Sequence, residues 1–97
     1  MRGNRAASRY AKSLLDLSVE QKNTDEIYKD MELIASTVSE SRELALILKS
    51  PIIKSDKKQA ILDALFPKTS KLTKGFISII VGNGRESILG VIADSFV

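Results

Sequence analysis

Apolar residues return along this chain at spacings of three and four, and the stretches where they do so are separated by short polar joints. That period marks helices with one buried face. Residues 4–21 are rich in Ala, Leu, Lys and Arg, hold no Gly or Pro, and repeat through Ala7, Ala11, Leu14, Leu15 and Ser18, which predicts a first helix. Next, Asn23 or Thr24 offers a cap and Asp25 and Glu26 set carboxylates against the helix dipole; Ile27, Met31, Ile34 and Val38 then form the stripe of a second helix. The Ser- and Glu-rich run 36–41 ends it. An apolar piece from Arg42 runs into Pro51, which disfavours helix at Ser50, so the third helix is short. The fourth is expected to use Ser55 as cap, to bury Ile61, Leu62 and Leu65, and to close at Pro67. A fifth covers residues 70–81, and a sixth starts near Arg85 with Ile88, Leu89, Ile92, Ala93 and Phe96 facing inward. No run alternates with period two for long enough to predict a strand, and no segment repeats. The fold class is all-α, a six-helix bundle with short loops.

Between the last two helices stands Gly82-Asn83-Gly84-Arg85. A phosphate-cradling loop follows a strand and leads into a helix through Lys and then Ser or Thr, whereas these glycines follow a helix and are succeeded by Arg85-Glu86. Gly82, Asn83 and Gly84 are better read as residues that accept a left-handed backbone and end the fifth helix.

The width of the apolar faces carries more. At about 100° per residue, Leu72, Phe76, Ile79 and Ile80 share one sector of the fifth helix, and Ile77 and Val81 extend it to roughly 200°. In the first helix Ala7, Ala11, Leu14 and Leu15 form one face, which Ala6, Tyr10 and Leu17 widen to about 180°. Two readings fit. Either both helices are enclosed by neighbours, or they lie side by side and leave a groove for an amphipathic helix of another protein. In the second, small Ala6 and Ser13 permit close approach and Tyr10 offers an apolar ring with a polar tip at the groove edge.

Composition narrows the function classes. With 97 residues, 43% of them apolar, the chain builds one small core, and 28% charged residues spread along it argue against a disordered tail. No apolar stretch approaches the roughly 18 residues of a membrane-spanning helix, so no direct membrane insertion is expected. There is no Cys and no His, which removes disulfides, the usual zinc sites and thiol or imidazole catalysis. The acidic residues stand singly or beside lysines, as in solvated ion pairs, so no catalytic, cofactor or metal site is expected. The net charge is +3, and Arg2, Arg5 and Arg9 precede any acidic residue. An acid-free, Arg- and Ser-containing opening also suits an organelle transit peptide, but the apolar period from Ala6 runs unbroken to Leu17, so the arginines are read as part of a folded helix.

Residues 7–21, "ASRYAKSLLDLSVEQ", and 82–89, "GNGRESIL", resemble the N-terminal domain of the delta subunit of bacterial F-type ATP synthase, whose mitochondrial relative is the oligomycin sensitivity conferral protein. Asn83-Gly84-Arg85 matches the Asn-Gly-Arg between helices five and six of that family, and Ser50-Pro51 before the fourth helix fits as well, so the likeness spans the chain. The resemblance implies a non-catalytic stator component at the top of the catalytic head of the proton-translocating synthase. It implies binding of the N-terminal helix of an alpha subunit between helices one and five. Carried over position by position, the partner-binding residues are Ala6, Tyr10, Ser13, Leu14 and Leu17 with Phe76, Ile79, Ile80 and Asn83. Ser13 departs from the alanine expected in some relatives. Peripheral-stalk b subunits would be engaged by a C-terminal domain outside these residues, and the location implied is peripheral, on the cytoplasmic face of the bacterial inner membrane.

The apolar pattern is still running at Phe96-Val97, which reads as residues 1–97 being the N-terminal helical domain of a longer subunit. Two rival functions remain. A helix-turn-helix nucleic-acid reader would use residues 72–97, yet its second helix offers only Arg85 to a groove, so no nucleic-acid partner is expected. A generic helical adaptor of the death-fold kind shares the helix count and would bind through charged patches.

Overall fold

A computed structural model describes residues 5–97. Asn4, where the pattern starts the first helix, and Arg2 of the basic opening lie outside the described residues. Six α-helices follow one another: α1 (Arg5–Glu20), α2 (Thr24–Glu40), α3 (Arg42–Lys49), α4 (Ser55–Leu65), α5 (Lys71–Gly82) and α6 (Leu89–Phe96). One 3₁₀ turn, Glu86–Ile88, leads into α6, and no strand occurs among the described residues.

α6, one of the two shortest helices, holds the centre. α6 lies against both α1 and α2, with Leu89, Ile92 and Ala93 at 0% exposure. Its approach to α2 is close enough that a Cβ added at Gly90 would sit 2.8 Å from Val38 Cγ1. α1 contributes the stripe Ala7, Ala11, Leu14 and Ser18, and α2 contributes Ile27, Met31 and Ile34, with Val38 half-buried. α5 packs against α4 and α2.

Helix ends explain the joints. α5 stops in a Schellman arrangement: Gly84 takes φ 72°, its N–H donates to Val81 O at 3.0 Å, and the Arg85 N–H donates to Ile80 O at 2.9 Å. Of the three residues expected in the left-handed region, only Gly84 is there; Gly82 is helical and Asn83 has φ −87°. α1 ends the same way, with Lys22 at φ 59° and the Asn23 N–H on Ser18 O at 3.0 Å. Asn23 thus closes one helix as it opens the next, and its side chain makes no cap bond. Ser41 and Ser70 do cap α3 and α5, accepting from Leu44 N and Thr73 N. Ser55 does not cap α4, because the helix starts on it and Lys54 occupies the N-cap.

Two buried polar contacts tie distant elements together. The Asp30 carboxylate on α2 accepts from Ser70 N–H at 3.0 Å and from the Thr73 hydroxyl at 2.6 Å, placing a negative charge at the N-terminus of α5. Lys58 on α4 donates to Glu86 Oε2 at 2.8 Å and to Leu48 O, at the end of α3, at 3.0 Å. Lys58 and Glu86 are only 4% and 8% exposed. The sequence pattern therefore misplaces the face of α4: Lys58, Leu62 and Phe66 are buried, Ile61 is half-buried, and Leu65 is 45% exposed.

Candidate functional site

α1 and α5 run beside each other with few close backbone approaches, and side chains bridge the gap. On α1, Ala6, Tyr10, Ser13 and Leu17 fall within about 60° of helix circumference, roughly 100° away from the buried stripe. On α5, Leu72, Phe76, Ile79 and Asn83 form a second such line. Both lines have the spacing i, i+4, i+7, i+11, so each presents a continuous edge to its neighbour.

Tyr10 joins the two edges. Its ring meets Phe76 edge-on, with centroids 6.2 Å apart and planes at 76°. Its hydroxyl accepts a hydrogen bond from Asn83 Nδ2 at 3.0 Å. Phe76 and Asn83 are two helical turns apart, so the tyrosine side chain extends along α5 toward its C-terminus. There a depression of about 260 Å³ opens, lined by Ala6, Arg9, Tyr10, Ser13 and Arg85.

The expected site residues divide by exposure. Ile79 is 57% and Leu17 40% exposed, Ser13 and Asn83 are exposed, and Ala6 and Tyr10 are half-buried. Leu14 and Ile80 are at 0%, which corrects their expected place on a partner surface. Leu14 belongs to the α1 stripe that packs into the core, and Ile80 to the inner face of α5 with Thr73 and Ile77. Phe76, at 7%, supports Tyr10 from below. The core also uses Ile77 and Val81, so the apolar surplus of α5 comes down to Ile79, with Leu72 half-covered. Leu15 and Val19, 42% and 60% exposed, add apolar surface to α1.

Sequence reasoning passed over Arg9 and Arg85 as site residues. Arg9 lies three residues after Ala6 and four before Ser13, and that helical spacing could have placed it beside the site. A second depression, about 190 Å³ between α2, α3 and α6, contains none of the expected residues.

The glycine turn has no backbone donors left to cradle a phosphate, because the Gly84 and Arg85 N–H groups are committed to capping α5. α6 is equally unsuited to reading a nucleic-acid groove: its core face is locked between α1 and α2, and Asp94 and Ser95 are on its exposed side.

Residues 6–97 match the family model for the ATP synthase delta (OSCP) subunit. The chain is 40% identical over 97 residues to an ATP synthase subunit delta of Christiangramia forsetii, covering 100% of this chain and 53% of that protein. With the subunit delta of Cytophaga hutchinsonii the identity is 38%, covering 99% and 53%. Among solved structures, a chain of the Toxoplasma gondii mitochondrial ATP synthase hexamer superposes with a TM-score of 0.87 at 26% identity, covering 96% of this chain and 53% of that one. The chain spans about half the length of the curated relatives it matches. On the family match over nearly all its residues and the likeness of sequence and fold together, the chain belongs to the ATP synthase delta (OSCP) subunit family.

Proposed function

We propose that the chain serves as a non-catalytic stator domain of a proton-translocating F-type ATP synthase, seating the amphipathic N-terminal helix of an alpha subunit along the edges of α1 and α5. The observation that carries this reading is the seam itself: Tyr10 bridges the two helices to Phe76 and Asn83 while Leu17 and Ile79 stand open beside it. A guest helix laid there would cover Ile79, Leu17 and the outer side of Tyr10, and the half-buried Ala6 and short Ser13 would let its backbone approach. Family membership and the likeness to a chain of an assembled synthase support a place in that complex.

The task of such a domain is mechanical. It holds the stationary head against the torque of the central shaft, while the peripheral-stalk b subunits would be engaged through a C-terminal domain beyond these residues. Its place is peripheral, at the cytoplasmic face of the bacterial inner membrane. No helix among the described residues is long and apolar enough to cross a membrane.

Calorimetric titration with a synthetic peptide of the alpha-subunit N-terminus tests this. Ile79→Asp places a charge where the guest would be apolar, and Tyr10→Ala removes the bridge, so both are expected to weaken binding at least tenfold while the helical circular dichroism persists. Unchanged affinity in both variants overturns the docking reading.

A further inference from the structure

Resting on that docking of a helix along α1 and α5, we infer that the depression at the C-terminal end of α5 receives a carboxylate side chain of the docked helix. Its polar lining is one-sided. Arg9 and Arg85 carry only donors. Tyr10 Oη already accepts from Asn83, which leaves its O–H to donate away from that bond, and the Ser13 hydroxyl is exposed beside it. Among the described residues no Asp or Glu lines the space.

Two acidic residues close to the lining residues in the chain have other partners. Asp16 pairs with Lys12 at 3.6 Å, and Glu86, adjacent to Arg85 in the chain, turns inward to Lys58 at 2.8 Å. Among the described residues neither Arg9 nor Arg85 forms an ion pair. In the free chain, water solvates both guanidinium groups. A guest helix that covers this end removes part of that water, and a neutral guest would leave two cations desolvated without a partner. A carboxylate beside the guest's apolar stripe restores the lost interactions, and a guanidinium can meet it with two parallel N–H bonds. The surface thus favours a helix with an acidic residue flanking its apolar stripe at the end nearest Arg85, and it fixes which way that helix points.

The test titrates the alpha N-terminal peptide, and copies in which each Asp or Glu in turn becomes its amide, into the wild-type chain, Arg9→Gln, Arg85→Gln and the double variant, at low and high salt. One amide copy is expected to bind about three- to tenfold more weakly at low salt, the arginine variants to lose a similar factor, and the two changes together to lose little more than either alone. The difference should shrink at high salt. Both arginines are exposed, so the thermal midpoint should not move. If the peptide shifts the resonances of Tyr10 and Ile79 but acid and amide copies bind equally to every variant, the carboxylate pocket is overturned and the docking surface stands. A peptide that does not bind at all overturns both. Saturation of the Arg9 and Arg85 resonances by sulfate, with all peptide copies binding alike, marks a generic anion site and also overturns the inference.

Discussion

Lys58→Met removes the cation that pairs with the buried Glu86 carboxylate, and the loss should be large. Two groups lose their partner at once, Glu86 Oε2 and the Leu48 carbonyl, beside Glu86 Oε1, which is buried with no partner among the described residues even in the intact chain. Breaking one side of a buried ion pair costs about 3–5 kcal/mol. A domain of this length is stable by roughly 5–15 kcal/mol, so the variant forfeits about a fifth of the total or more. In urea the midpoint should fall by roughly 2–3 M at the slope usual for a small domain. Glu86→Gln should be milder, since an amide oxygen can still accept from Lys58. The double variant Lys58→Met/Glu86→Leu should recover most of the loss, falling short by about 1 kcal/mol for the Leu48 carbonyl. Equilibrium urea unfolding of the wild-type chain, Lys58→Met, Glu86→Leu and the double variant closes the cycle, with Glu86→Gln measured beside them. Single losses below about 1 kcal/mol that simply add would mean the pair behaves as a solvated surface contact, and the argument from burial would fail.

Other substitutions probe the joints. Lys22→Gly should raise stability by up to about 1 kcal/mol, read from the thermal midpoint, because a left-handed backbone at φ 59° strains any residue with a Cβ. Gly90→Ala should lower stability by about 1–3 kcal/mol by pressing on Val38, and Val38→Ala in the same chain should return part of that loss. Asp30→Ala should lower it by about 1–3 kcal/mol, since Ser70 N–H and the Thr73 hydroxyl lose their acceptor; amide exchange should rise first at the start of α5.

The helices were legible because their period is local. The pattern gives α1 as 4–21 against the observed Arg5–Glu20, and α5 as 70–81 against Lys71–Gly82. The arrangement was harder to see. α1 and α5 carry the widest apolar arcs, yet it is eight-residue α6 that lies between two other helices, because position in the bundle depends on neighbours that no single helix encodes. Lys58 illustrates the same limit: it breaks the apolar rule on α4, and the carboxylate that justifies its burial lies 28 residues further on. At the candidate site, Tyr10, Ile79 and Asn83 are expected from pattern and family resemblance, and the structure leaves Ile79 and Asn83 exposed and Tyr10 half-buried. Leu14 and Ile80 looked equivalent on arcs alone. They are separated from the surface residues by a rotation of tens of degrees, which only the packing fixes.

The central claim is that the edges of α1 and α5 take a helix from the alpha subunit. An amide and side-chain NMR shift map during titration with the alpha N-terminal peptide tests it most directly. Saturable shifts confined to Ala6, Tyr10, Ser13, Leu17, Ile79, Asn83 and their immediate neighbours are the expected result. Saturable shifts centred on the depression between α2, α3 and α6, or none at all, would contradict it.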